Sequence, residues 1–448
     1  MTFEPLEKQY WEHPYRAYRQ LRDSDRLHWA PGAQVFCASR YDEAEFIFKH
    51  PDIFSSGVAF DLLVNDRWKS VGLKDVVEMV RFFMRSHLNP LSFRNAPETL
   101  LSSDPPRHDT LRRTVNRGFT PRHIAAWKPR VRELCEQYLA NFEDAQHVEI
   151  IAEFSNPLPM TIIAEMLGIE TDRLGDFRRW SNNIISGLTG ANRADSPRAL
   201  LRDVGEWLGY LRVIVERRRK NPGDDLISTL VDPKHQETLD TESVLTFASI
   251  LLIAGNETTT NAIGSTIQLL LEHSQVLSEV QADATLIPAL IEESIRLESP
   301  FQFMPRLATC DTELRGTLIP KNSTVLVMIG AANRDERHFA HADRLDLHRN
   351  EESHLAFGRG IHFCLGAALA RLEAQVALEV IIPQLHRWEI AEAGTSLGDS
   401  YFTRGPSHLD LVPAGTGSFV VGAKSCSQPS SQPSKKSQLQ THDRPSQA

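Results

Sequence analysis

Cys364 sits in "FGRGIHFCLG", residues 357–366, where glycines at 358, 360 and 366 leave bare backbone around one thiol. The following run, "AALARLEAQVALEVIIPQLH", is strongly helical, so the cysteine stands at a helix start. There free amides and the positive end of the helix dipole favour a thiolate. Three chemistries fit those residues. Cys364 could be a packed core residue, a nucleophile with His362 as its base, or a metal ligand whose loop amides are aimed at sulfur. The loop by itself leaves all three open.

Three further clusters narrow the choice. "ILLIAGNETTTNAIG" reads as a core helix broken by a polar belt from Asn256 to Thr260. Gly255 costs about 1 kcal/mol against Ala in a helix interior, threonines form helices poorly, and Glu257 is expensive to bury unpaired. Such inconsistency marks functional sites, although Glu257 facing solvent and threonines bonding back to the preceding turn would also explain it. Ala254 and Gly255 would let a flat ligand or a diatomic molecule approach the backbone, with Glu257 and Thr258 feeding protons to it. In "LIPALIEESIRLESPFQFMPR", Pro288 suits an early helical position, and Glu293 with Arg296 forms an i, i+3 pair whose simplest reading is a surface ion pair. In "DPPRHDTLRRTVNRGFTPRH", His108 and Arg112 share a helix face with Arg107, Arg113, Arg117 and Arg122 nearby. That basic patch would be a solvated face, a grip for an anionic ligand, or a dock for an acidic protein.

The chain has 448 residues and a net charge of -9, with 41% hydrophobic and 24% charged residues, the composition of a globular protein able to bury a sizeable pocket. The acidic balance argues against general nucleic-acid binding. Five scattered cysteines without a CxxC support neither a disulfide framework nor a zinc ribbon, and point to a reducing compartment. No stretch reaches the roughly 18 apolar residues that span a bilayer and no secretory leader opens the chain, so a cytoplasmic protein without a membrane anchor is expected.

Short alternating segments such as "LHWA" and "VFCASR" predict strands of a small sheet after a helix that starts near Pro14. Helical periodicity dominates from about 121 to 279, and "IAAWKPRVRELCEQYLANF" reads as one helix. Strands return after Pro300, with Pro320 and Asn322 as turn signals. The stretch from Gly57 to about Ser103 reads either as short core helices or as an apolar lid over a ligand pocket. The last 30 or so residues, rich in Ser, Gln, Pro and Lys, cannot bury enough surface to order themselves, so 416–448 is expected to be a disordered tail. The predicted class is mainly α with small β-sheets.

Taken together, the clusters resemble the cytochromes P450. Phe357, Gly360, Cys364 and Gly366 fill the family's FxxGxxxCxG haem-binding loop, "EESIR" its ExxR, "AGNETT" its oxygen-activating helix, and "HDTLR" its HxxxR, in the family's order. The resemblance spans roughly residues 10 to 413 and implies the P450 fold, with residues 1–415 forming one haem domain. It implies haem b, protoporphyrin IX iron, with Cys364 as the axial thiolate that pushes electron density toward O–O cleavage. Phe357, Gly358, His362 and Gly366 become loop residues around the sulfur, whose amides tune it. Thr258 and Glu257 become the alcohol and acid that deliver protons during oxygen activation, with Ala254 and Gly255 making room. His108, Arg112, Arg306 and His354 would bind the haem carboxylates, and Glu293 with Arg296 becomes a buried brace whose third partner would be Arg349.

The function implied is monooxygenation of an apolar small molecule of terpenoid, steroid, polyketide or fatty acyl type by hydroxylation or epoxidation. A monomer is expected. Electrons would come from a separate ferredoxin and ferredoxin reductase, docked near Arg113 and Arg117. Expected pocket residues are Ile250, Phe301, Gln302, Phe303, Met304 and Phe402, with Gln302 offering a hydrogen bond. Two other functions compete: a peroxide-dependent haem-thiolate peroxygenase, which the Glu257 and Thr258 pair argues against, and a haem-based ligand sensor without turnover.

Overall fold

Asp240 accepts a hydrogen bond from the Ser243 amide at 2.7 Å and starts the longest helix, Thr241–Glu272, around which the chain is arranged. In this computed structural model, residues 3–58, 82, 99–189, 197–235, 237–349 and 354–415 are described. Most of the apolar stretch between 57 and 103, and the polar tail from 416 onward, lie outside them.

The principal helices are α1 (Tyr15–Asp23), α2 (Tyr41–Lys49), α3 (Arg107–Asn116), α4 (Lys128–Leu139), α5 (Pro157–Met166), α6 (Leu174–Thr189), α7 (Pro197–Lys220), α8 (Thr241–Glu272), α9 (Ile287–Leu297) and α10 (Ala367–Leu385). At 32 residues α8 is about 48 Å long, enough to cross a domain. It packs against α5, α7, α9 and α10, and the main apolar core gathers on both sides of it, from Val131 and Leu158 to Ile263, Ile295 and Leu378. Being apolar nearly all round, α8 is a buried helix rather than a surface one.

The run "IAAWKPRVRELCEQYLANF" is not one helix. It divides at Trp127 into Pro121–Ala126 and α4. Pro129 cannot donate to the previous turn but fits the first turn of a new helix, so the chain restarts there.

Three small sheets flank the helices. The largest has the order β1-β2-β8-β5-β3, built from His28–Ala30, Val35–Ala38, Thr324–Val327, Met304–Ala308 and Phe54–Ser55. Its β2 and β8 run parallel, with Val35 opposite Thr324, while the other pairs are antiparallel. A hairpin joins β6 (Thr312–Leu314) to β7 (Thr317–Ile319). Asn322, at φ 66°, turns the chain from β7 into β8. The third sheet has the order β4-β10-β9, from Val148–Glu149, Pro406–Pro413 and Trp388–Leu397, and β10 packs against α8.

A charged knot ties α9 to the chain beyond it. The Arg296 guanidinium, 2% exposed, donates to Glu293 through Nε at 2.8 Å and Nη2 at 2.7 Å. Its Nη1 donates to the carbonyls of Asn333 (2.8 Å) and Ala342 (2.6 Å), and Nη2 to that of Arg344 at 3.1 Å. Arg349 Nε donates to both Glu293 oxygens, at 3.0 and 3.1 Å. Segment 333–349 is thereby pinned to α9. From it the Asn333 side chain accepts the Leu355 amide at 2.7 Å, fixing the approach to the cysteine loop.

Arg296→Leu leaves Glu293 to Arg349 alone and strips the buried Asn333 and Ala342 carbonyls of their donor, so urea unfolding should show a loss of about 2–5 kcal/mol. A loss below about 1 kcal/mol would contradict this role.

Candidate functional site

The cysteine loop closes on itself before α10 begins. The Cys364 amide donates to the Phe357 carbonyl at 2.8 Å, and the Gly358 amide to the Leu355 carbonyl at 2.8 Å. Gly358 and Gly360 have φ of 71° and 68°, a region that side chains with a Cβ rarely enter. At 360 a Cβ would also run into the Phe48 carbonyl oxygen of α2. Gly366 differs: a Cβ there would meet no protein atom within 4 Å. Burial pushes the Cys364 thiol up, and the Gly366 and Ala367 amides, Arg112 and Arg371 pull the other way toward the thiolate. The Arg371 guanidinium sits 4.4 Å above the Phe357 ring and forks onto Glu292 through two bonds of 2.7 Å. Burial would raise the Glu292 carboxyl, but Arg371 and His354 outweigh it and hold it at about 2.

Next to the sulfur lies an excess of positive charge. Arg306 is buried, with burial lowering it to about 10; its Nη1 donates to the Pro305 carbonyl and its guanidinium lies over Phe48. Arg112, from α3, donates to the Phe363 carbonyl at 2.7 Å. Among the described residues neither arginine forms an ion pair with a carboxylate. The His108 and His362 rings meet edge to face at 4.5 Å, and the Nε2 atom of each is buried without a hydrogen-bond partner. Burial, then Arg306, His108 and Arg112, depress His362 to about 3, so this ring is neutral. Buried cations without counter-charge are unfavourable. Together with the open space at Gly366, they fit a flat group that carries carboxylates.

On α8 the Thr258 hydroxyl donates to the Ala254 carbonyl at 2.5 Å, one turn back. Glu257 is half-buried, with burial raising its carboxyl, and it accepts the Thr403 hydroxyl at 2.5 Å. Thr403 in turn contacts the Ser400 hydroxyl at 2.9 Å. Ile250, two turns earlier, lines a small cleft with Leu111, Val115 and Phe247 between α3 and α8, where Thr99, Ser243 and Thr246 add hydroxyls.

Several expected residues are employed differently. A Cβ at Gly255 would stand 2.7 Å from Ile163 of α5, so that glycine lets the two helices approach. The Gln302 amide is not a free ligand contact: it donates to the Ser299 carbonyl at 2.7 Å and accepts from the Tyr18 hydroxyl at 3.0 Å, which a buried amide requires. Phe303 and Phe402 belong to a core cluster with Phe3, Tyr18 and Met328, while Phe301 and Met304 are half-buried against it. His354 Nε2 lies 3.3 Å from Glu292. Arg113 pairs with Glu237 at 2.9 Å and Arg117 donates to the Glu237 carbonyl at 2.6 Å, so both hold a neighbouring segment.

Glu292, Arg371 and Ser400 escaped the sequence reading, because nothing local marks them, while Thr403 falls there only within a pocket-wall stretch and not beside Glu257. Glu373 escaped it as well: buried in α10, with burial pushing its carboxyl up to about 8, it reads on the sequence as an ordinary helical charge.

The family model for cytochrome P450 matches residues 209–397. A putative cytochrome P450, YjiB, of Bacillus subtilis is 32% identical over 83% of this chain and 87% of that protein. The 6-deoxyerythronolide B hydroxylase of Saccharopolyspora erythraea is 37% identical over 69% of this chain and 76% of that protein. Among solved structures, cytochrome P450 CYP109Q5 from Chondromyces apiculatus superimposes with a TM-score of 0.80 at 34% identity, covering 92% of this chain and 98% of that one. Among the described residues no helix is long and apolar enough to cross a membrane.

The Thr403 hydroxyl stabilises the charged form of Glu257, so Thr403→Val should move its titration to higher pH. Infrared difference spectra against Glu257→Gln would follow the carboxyl C=O band, and an unchanged or lower midpoint would contradict the contact.

Proposed function

The chain belongs to the cytochrome P450 family and is a haem-thiolate monooxygenase; from that premise we propose that it hydroxylates or epoxidises an apolar polyketide-type ring, with electrons from a separate ferredoxin and its reductase. The observation that carries the site reading is the cluster of Arg306, Arg112, His108 and His362 beside Cys364, in which His108 contacts Asp109 at 3.1 Å but neither arginine has a carboxylate ion pair among the described residues. Two haem carboxylates would supply that missing charge, each charge-assisted bond being worth roughly 1.5–3 kcal/mol. Cys364 would hold the haem iron through its sulfur, which receives the amides of Gly366 and Ala367. The 37% identity to 6-deoxyerythronolide B hydroxylase supports the substrate class.

When bound, the haem supplies the metal centre at which O2 is activated. The protein's part is to hold the sulfur and to manage protons. Glu257, its carboxyl raised by burial, keeps a proton available, and the Thr403 hydroxyl orients the oxygen that receives it. Thr258, whose hydroxyl now rests on the Ala254 carbonyl, turns outward to pass protons into the space before α8. A ferredoxin would meet the exposed Arg107 and Arg122, with Arg113 adding only part of its charge because Glu237 offsets it.

Cys364→Ala should abolish the red-shifted band of the reduced CO complex, and retention of that band would end the ligand assignment. Thr258→Ala should keep the band, yet product formed per nicotinamide consumed should fall by on the order of tenfold or more as hydrogen peroxide accumulates; full coupling would contradict the proton role. Spectral titration with macrolactones, steroids and fatty acids tests the substrate class, and a response to fatty acids or steroids alone would overturn the polyketide reading.

A further inference from the structure

Two tripeptides far apart in sequence, "HVE" at 147–149 and "HLD" at 408–410, meet on neighbouring strands. In the antiparallel pairing of β4 and β10, Asp410 lies opposite Glu149 and Leu411 opposite Val148. Val148, Leu409 and Leu411 are buried in the core. Strand alternation therefore puts His147, Glu149, His408 and Asp410 together on the other face. Two imidazoles and two carboxylates on one rigid face are the donors that zinc-class ions prefer.

We propose that these four residues form a binding site for a divalent metal ion of the zinc class, separate from the cysteine site. Ligand atoms of Glu149, His408 and Asp410 all lie within 4.8 Å of one another. His408 Nε2 is 3.4 Å from Asp410 Oδ2, His408 Nδ1 is 3.8 Å from Glu149 Oε1, and His147 Nε2 is 2.8 Å from Asp410 Oδ1. A tetrahedral ion with bonds near 2.0–2.2 Å has ligands about 3.3–3.6 Å apart; an imidazole offers one nitrogen to an ion, so the His408 Nε2–Asp410 spacing of 3.4 Å fits directly, while Glu149 approaches through Oε2 and His147 has to swing away from Asp410 to reach the same point.

A plain set of surface ion pairs does not account for one detail. Asp410 Oδ1 is buried and has no hydrogen-bond partner although a ring nitrogen lies 2.8 Å away. The two atoms are close without being aligned as donor and acceptor, which leaves that oxygen open to another partner. Glu149 is held in place by the amides of Ile151 (3.1 Å) and Leu409 (2.8 Å) on Oε1, and by Ala152 (2.6 Å) on Oε2, which keeps a lone pair for an ion. His147 and His408 are both more than half exposed, which gives the ion a path in.

With four protein ligands the site is structural in type rather than catalytic. It would clamp the approach to α5 onto β10, whose first residue, Pro406, is pressed against Gly264 of α8.

The test uses the untagged, haem-loaded full chain after treatment with a chelator, titrated with zinc chloride by calorimetry and followed by thermal unfolding. One equivalent should bind and raise the unfolding temperature. Asp410→Asn and the double variant His147→Ala with His408→Ala should each weaken binding at least tenfold and lose the thermal shift, while His273→Ala, far along α8, titrates as the parent does. Far-ultraviolet circular dichroism checks that the variants are folded. No stoichiometric binding by the parent, or parental affinity in either ligand variant, would overturn the proposal.

Discussion

Burying Arg296 against Glu293 is the constraint on which the rest of the cysteine side depends. A guanidinium with five donors cannot be left partly unbonded in a core. Its remaining N–H groups therefore take carbonyls from Asn333, Ala342 and Arg344, which folds an irregular segment onto α9. That segment carries Asn333, whose side chain fixes Leu355, and Leu355 in turn accepts the Gly358 amide. The position of Cys364 is thus set through a chain of hydrogen bonds that begins at an ion pair on another helix.

Charge is distributed unevenly around this frame. On one side of the loop Arg371 is neutralised by Glu292, so it steadies Phe357 without adding a free charge. On the other, Arg306 and Arg112 are left with carbonyls for partners, and His362 is forced neutral beside them. The imbalance makes sense for a protein whose cofactor brings two carboxylates of its own. Across the site the balance reverses: Glu257 has a threonine rather than a cation for a partner, and burial favours its protonated form. One face holds cations waiting for an anion, and the other holds an acid that can keep its proton.

The cysteine loop was legible in the sequence because backbone geometry demands particular residues there: φ near 70° at 358 and 360 leaves little besides glycine. The polar belt in α8 and the Glu293 and Arg296 pair were visible for a related reason, since each breaks the apolar pattern of a core helix or repeats at helical spacing. Even Arg349, 56 positions away in sequence, could be singled out, and the structure brings it onto Glu293.

The uses of several residues could not be read in the same way. Gly255 looked like an opening for a ligand, and only the approach of Ile163 from α5 reveals that it also lets two helices meet. Gln302 looked like a hydrogen-bonding residue of the pocket, yet Tyr18, 284 positions earlier, donates to its oxygen and its NH2 group goes to the Ser299 carbonyl. Arg113 and Arg117 looked free to meet a partner until Glu237 folded against them. Composition, spacing and backbone demands are local, so the sequence by itself determined the chemistry available: a thiol in a glycine loop, an acid and an alcohol on one helix, and cations for carboxylates. Which of these groups remain unspent depends on long-range packing that satisfies some polar atoms and strands others, and only the tertiary structure decided that.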